Sequence, residues 1–296
     1  MDFFSIKQNY YTGNFAHALQ DIRKHTESED DTLLFYKLKT LLALKKYEAG
    51  SFKANPIGVT FDIYVQFLKS RNISALESHV NTETASPYEL NIFASALAIE
   101  GRYDESLEVC VYGIDNSESA GTTELLLLAI QVTLLDGQFS VAQTLFDNFI
   151  GAQEDNITSE DELIVNLAES YIKFATNQDT TSSNFYYFEE LAQTFPTWKT
   201  QLGLLNLHLQ QSNIEEAQGI INFLESDYYS VEQKEAAELY KPDFLANKIT
   251  LAILSGSNNV DELKKELEQL DPNHALIQNN KKINSDFDEI VAKYNI

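Results

Sequence analysis

"EGRYDESLEVCVYGI", residues 100–114, decides the fold. Gly101 is a turn residue. Tyr103 stands two places on, and the small Ser106, followed by Leu107, three places further. The same spacing returns along the chain. Gly13-Asn14-Phe15 leads to Ala18-Leu19, Gly137-Gln138-Phe139 to Ala142, and Ser212-Asn213-Ile214 to Ala217. Lys45-Lys46-Tyr47 is a weaker copy, and a degraded one is expected near Asn177. The interval from Gly101 to Gly137 is 36 residues. A period in the mid-thirties is the mark of helix-turn-helix units stacked as a solenoid; tetratricopeptide repeats run about 34 residues.

Each slot has a physical reason. The turn residue closes the first helix and takes a left-handed backbone conformation, which glycine adopts without steric cost. The aromatic or Ile is expected to pack back over the turn, and the small residue to let the second helix lie close to the first. No single pair covers its own apolar face, so neighbours must stack. Capping signals fall where helices should start. Ser86-Pro87-Tyr88-Glu89 is a capping box with Pro at the first helical position, and Ser159…Glu162, Ser230…Gln233 and Asn259…Glu262 have the same spacing. Leu90, Phe93, Ala94 and Leu97 then recur at helical intervals.

The rhythm is uneven. GSFKANPIG (50–58) interrupts it, and NQDTTSSN (177–184) is a longer polar connection than an ideal repeat needs. At the C-terminus, Ile283, Phe287, Ile290, Val291 and Tyr294 share one helical face, so residues 273–296 are expected to form a helix capping the open end of the stack. No compositional break marks a domain boundary. The expectation is one all-α domain over 1–296, an α-solenoid of irregular tetratricopeptide-like repeats.

Composition agrees. Of 296 residues 44% are hydrophobic, enough for a folded core, while only 11 Gly and 5 Pro argue against a strand-and-turn protein. The formal net charge of −24 repels phosphate, which argues against nucleic-acid binding and against unaided docking on an anionic membrane. The longest strongly apolar run, LLLLAI at 125–130, is far short of the roughly 20 residues of a membrane span. One cysteine, Cys110, and an N-terminus without a signal-peptide pattern point to the cytosol.

Chemistry-bearing motifs are missing. There is no phosphate-cradling Gly loop, no HExxH and no Cys pair, so no catalytic residue, cofactor, metal or small-molecule substrate is expected. Cys110 follows the small slot by four residues and reads as a buried inert thiol, with Gly113 as a further small contact. His208, inside LLNLHLQQ, reads as a core or rim histidine, and Trp198 as a packing residue at a helix start. Four tyrosines remain as candidate partner contacts. Tyr186 and Tyr187 lie in the aromatic cluster 185–188, with Tyr186 on the polar side beside Glu189 and Glu190. Tyr228 and Tyr229 are adjacent and cannot share a helix face.

FYYFEELAQTFPTWKTQLGLLNLHLQQSNIEEAQGI (185–220) resembles the epsilon-subunit family of coatomer, the COPI vesicle coat, of the yeast type. GTTELLLLAI (121–130), NLAESYIKFATN (166–177), DYYSVEQKE (227–235) and SIKQNYYTGNF (5–15) carry the same resemblance. It covers essentially the whole chain. It implies a strongly curved tetratricopeptide-like solenoid without catalytic residues, bound to the C-terminal region of the coat's alpha subunit. It also implies a cytosolic complex recruited peripherally to Golgi membranes for retrograde Golgi-to-endoplasmic-reticulum and intra-Golgi transport. The competing reading is a free adaptor clasping short peptide segments of a partner. Carboxylate-clamping adaptors need basic grooves, and this chain has only 21 Lys and Arg.

Overall fold

A computed structural model describes residues 3–25, 30–116, 120–153, 157–178 and 181–294. Among these there are sixteen α-helices, one π-helical turn and no strand. The middle of the polar connection expected at 177–184, residues 179–180, lies outside the described residues. Two compact units divide the chain, Met1–Asp179 and Thr180–Ile296.

The first unit holds α1 (Phe4–Tyr11), α2 (Phe15–Arg23), α3 (Asp31–Ala43), α4 (Pro56–Ser70), α5 (Ser74–His79), α6 (Pro87–Ile99), α7 (Tyr103–Asp115), α8 (Thr122–Leu135), α9 (Phe139–Gln153) and α10 (Ser159–Ala175). Sequential helices pair as α1/α2, α6/α7 and α8/α9, and α4, α6, α8 and α10 stack in a row. The row curls on itself, because α1 packs against both α3 and α10. Its core is aromatic at one end, where Phe35, Tyr36, Phe61 and Tyr88 meet, and aliphatic at the other, around Leu126, Ile130, Ile164 and Ile172.

The second unit holds α11 (Ser183–Thr194), α12 (Trp198–Gln210), α13 (Ile214–Leu224), the π-helical turn Tyr228–Glu232, α14 (Lys234–Leu254), α15 (Val260–Leu270) and α16 (Ala275–Tyr294). Helix α12 is central, packed by α11, α13 and α14, and α15 pairs with α14. Trp198, Leu205, Ile221, Tyr229 and Phe244 fill one core, and Leu245, Ile249, Leu263, Leu267 and Ile277 a second.

Seven helices end in one way. Two places past the last residue of α1, α3, α6, α8, α10, α12 and α14 stands a residue with φ between +54° and +82°: Gly13, Lys45, Gly101, Gly137, Asn177, Ser212 and Gly256. Arg71, at φ +57°, follows α4 directly. At Gly101 the amide donates to Ala98 O and the next amide, Arg102, donates to Leu97 O, each at 3.0 Å. Ser212 and Asn213 repeat the pair onto Leu209 O and His208 O. These bonds satisfy carbonyls the helix leaves open and reverse the chain. Glycine is favoured at 101 because the conformation costs an L-residue about 1–2 kcal/mol.

The small slots behave as the spacing requires. Ala18, Ser106, Ala142 and Ala217 are all fully buried. Ser106 Oγ donates to Ala94 O at 2.7 Å across the α6–α7 contact. At Gly113, a Cβ would stand 2.6 Å from Leu125 Cδ1 and 2.8 Å from Leu90 Cδ1, so α7 approaches both neighbours there. The aromatic slots are looser. Phe15, Tyr103 and Ile214 open the second helices half-buried, and Phe139 is exposed.

Several local expectations need correction. Lys45 makes the turn, but Tyr47 opens no helix. Its hydroxyl donates to Asp62 Oδ1 at 2.6 Å, as does the Gly50 amide at 2.9 Å, and this loop folds onto α4 until Asn55 Oδ1 caps that helix by accepting from the Ile57 amide. The box at Ser86 forms with Glu89. The cap of α10 is Thr158 and not Ser159, because Thr158 has the extended backbone and its Oγ1 accepts from the Asp161 amide at 3.3 Å while donating to the Asp161 carboxylate at 2.8 Å. Ser230 lies inside the π-helical turn, donating to Ser226 O, and caps nothing. Asn259 precedes α15 without a side-chain cap bond.

Candidate functional site

A buried polar network ties the ends of the first unit together. Lys7 on α1 reaches Asp161 Oδ1 on α10 at 2.8 Å and Glu124 Oε1 on α8 at 3.3 Å. Tyr36 OH donates to the same Glu124 oxygen at 2.7 Å, Thr123 Oγ1 donates to Asp161 Oδ1 at 3.0 Å, and Asn91 Nδ2 donates to Glu124 O at 3.0 Å. The Phe3 amide adds a bond to Glu160 at 2.9 Å. Burial alone would lower the Lys7 pKa, but Glu124 and Asp161 outweigh it and hold the ammonium above its ordinary range. Burial works against the Asp161 charge too, and Lys7 with the hydroxyls of Thr158 and Thr123 brings its pKa below the ordinary value. Burial and the Glu124 charge push the Tyr36 phenol well up. Every one of these groups is turned onto its neighbours, so the arrangement acts as a clasp. The sequence offered one overlooked sign of it: Glu124 is a carboxylate directly ahead of the apolar run 125–130.

The four candidate tyrosines separate. Tyr186 on α11 is 61% exposed, its ring edge-on to Phe185, which in turn meets His208. Tyr187 is half-buried against Phe188. Tyr228 is 50% exposed. Tyr229 is fully buried and is a core residue. Its hydroxyl donates to Pro196 O at 3.0 Å, its carbonyl accepts from Trp198 Nε1 at 3.2 Å, and burial raises its phenol to about 12. Within the π-helical turn the adjacent pair faces apart, Tyr229 inward and Tyr228 outward. Cys110 is fully buried, and burial pushes its thiol pKa up.

Helix α16 does not cap with the face expected of it. Ile277 is its buried residue, set among Leu263 and Leu267 of α15. Lys281 pairs with Glu268 at 2.7 Å, and a shallow groove between the two helices runs from Ile277 to Asn284, opposite Asp261. Helix α15 starts at Val260, so nothing in it continues alongside the last turns of α16. Ile283, Phe287, Ile290, Val291 and Tyr294 are consequently 37–81% exposed. An apolar stripe of this length in water marks a contact surface.

Among the described residues no group of His, Cys, Asp and Glu could hold a metal ion, and no helix is long and apolar enough to cross a membrane. What the surface offers is protein contact. The sequence model of the family described as Coatomer epsilon subunit matches residues 63–295. The chain belongs to the coatomer epsilon-subunit family. Coatomer subunit epsilon of Saccharomyces cerevisiae (strain ATCC 204508 / S288c) is 59% identical over 294 residues, 99% of each chain. A crystallised tetratricopeptide repeat protein from Parabacteroides merdae ATCC 43184 has a TM-score of 0.55 at 12% identity, covering 90% of this chain and 96% of that one. That likeness speaks for the fold alone, an all-helical tetratricopeptide-like repeat. As a coatomer epsilon subunit the chain is a non-catalytic structural component of the COPI coat, the coat of Golgi membranes and their vesicles.

Proposed function

We propose that the chain secures the C-terminal region of the coatomer alpha subunit within the coat, and through it supports retrograde Golgi-to-endoplasmic-reticulum and intra-Golgi transport. The observation that carries this reading is the bare stripe of α16 in a chain of this family. Fully burying an aliphatic or aromatic side chain is worth about 1.5–3 kcal/mol. Covering these five part-exposed ones therefore supplies on the order of 5 kcal/mol before the cost of association. Tyr186 and Tyr228 are proposed as additional outward anchors. Residues 1–296 are proposed to act as one domain, with a single cooperative melting transition.

The test is co-purification of the full chain with the alpha subunit's C-terminal region, followed by a high-salt wash and sizing. A one-to-one complex that survives the wash is expected, and Phe287→Asp or Ile290→Asp should weaken it at least tenfold. Elution of the two as separate species, or wild-type affinity in both variants, would remove α16 from the contact.

A further inference from the structure

The π-helical turn builds a second surface on other elements. Tyr229 is fixed from three sides, by Pro196 O, by Trp198 Nε1 and by the surrounding core. Two exposed rings lean on it. Tyr228 stands edge-on at 5.0 Å between centroids, and Phe223 of α13, also exposed, at 4.8 Å. Val231, one residue before the end of the turn, is exposed as well. Exposed aromatics backed by an immobile ring lose little freedom on binding, which is the property of interface anchors. π-Helical turns interrupting helical structure occur frequently at functional sites.

The charge around these rings is one-sided. Residues 215–239 carry Glu215, Glu216, Glu225, Asp227, Glu232, Glu235 and Glu238 against the single basic Lys234. Lys234 pairs with Glu238. Asp227 and Glu232 bracket the turn and form no ion pair among the described residues. The chain also supplies its own example of what such a surface holds. Lys248 lies 2.7 Å from the Glu225 carboxylate and 5.5 Å from the centre of the Phe244 ring, a cation shared between an acid and an aromatic face.

We infer that Phe223 and Tyr228, with Asp227 and Glu232, form a docking platform for a basic segment of a partner protein, one presenting Arg or Lys side chains beside an apolar residue. The cation stacks on the outward rings while the two carboxylates neutralise it. An acidic segment is rejected by the same charges, and nucleic acid and anionic lipid are rejected with it. Tyr228 is shared with the anchors proposed above, but α16 takes no part in the platform, so a substitution on α16 tells the two contacts apart.

The probe is a dye-labelled twelve-residue peptide alternating Arg and Gly around one Trp, titrated into the full chain by anisotropy, beside a twin with Glu for every Arg. Saturable binding of the Arg peptide is expected, at least fivefold weaker in Tyr228→Ala and in the pair Asp227→Asn/Glu232→Gln, and unchanged in Phe287→Asp. The two carboxylate substitutions are isosteric, so they keep the test decisive if Tyr228→Ala disturbs the fold. Equal binding of the Glu peptide, absence of saturation, or wild-type affinity in the carboxylate pair would overturn the assignment.

Discussion

Lys7 and Asp161 are 154 positions apart in the chain and 2.8 Å apart in space. The contact closes the first unit, since it joins the first helix to the tenth. Both charges have left much of their water; Asp161 and Glu124 together stabilise the Lys7 ammonium, and Lys7 with the hydroxyls of Thr158 and Thr123 stabilises the Asp161 carboxylate. Lys7→Met leaves two carboxylates without their cation. Breaking a buried pair from one side costs about 3–5 kcal/mol. Urea denaturation should register a loss of that size, with part of it recovered in the double variant Lys7→Met/Asp161→Asn.

The same pair sets a pH dependence. The Asp161 pKa is lower folded than its ordinary value of 3.8, so the stability it lends is present above about pH 4 and is lost as pH falls through its folded value. The Lys7 pKa is higher folded than its ordinary 10.5, so its share is present below that value and is lost as pH rises past the folded one. The stability difference between wild type and Lys7→Met should therefore be level from about pH 5 to 10 and shrink at either end. Denaturant midpoints of the two proteins, measured across that range, give the curve. A difference that grows in acid would contradict the clasp.

The turns offer a cleaner measurement, because nothing but backbone conformation is at stake. A Cβ at Gly101 meets no atom within 4 Å, so Gly101→Ala tests the left-handed φ of +76° alone. It should cost about 1–2 kcal/mol, and Gly101→Val more. Ser212 holds the equivalent position at φ +58°, so Ser212→Gly should stabilise by up to about 1 kcal/mol. Opposite shifts in melting temperature are expected for the two variants.

The contrast between these features explains what could be read from residues alone. Turn slots and small slots have local causes, a positive φ and a helix crossing, and local causes leave a spacing. Hence Gly13, Gly101, Gly137 and Ser212 were legible, along with the degraded copies at Lys45 and Asn177, while Gly256 went unmarked for lack of an aromatic two places on. The clasp has no spacing at all. Lys7, Glu124 and Asp161 come from three helices and meet only because the row of helices curls. The face of α16 was legible as a stripe, but its fate depends on where α15 starts. That Tyr228 and Tyr229 face apart followed from their adjacency, but which ring turns inward did not, because the π-helical turn that sets it was disguised by Ser230…Gln233 as a helix cap.

That split can be measured. Tyr229 is buried with its hydroxyl on Pro196 O, so Tyr229→Phe should cost about 1 kcal/mol for the lost hydrogen bond. Tyr229→Ala should cost about 3–5 kcal/mol as a cavity in the core. Tyr228→Ala, one residue away, should stay within about 0.5 kcal/mol of wild type, as surface substitutions do. Equal losses at the two positions would mean that both rings pack inside.

Helix α16 gives the sharpest stability test, since a cap and a bare contact face make opposite demands. A capping helix contributes through the side chains it buries, and removing those would lower stability by several kcal/mol. Here Ile277 makes the core contact and the stripe beyond Lys281 makes none. Phe287→Asp and Ile290→Asp should therefore leave the melting temperature of the isolated chain within about 2 °C of wild type, consistent with surface substitutions. Truncation after Lys282 should do the same, because it keeps both Ile277 and the Lys281–Glu268 pair. Ile277→Ala should cost about 2–5 kcal/mol. If instead the truncation melts well below wild type, the last twelve described residues belong to the fold and the stripe is not free to receive a partner.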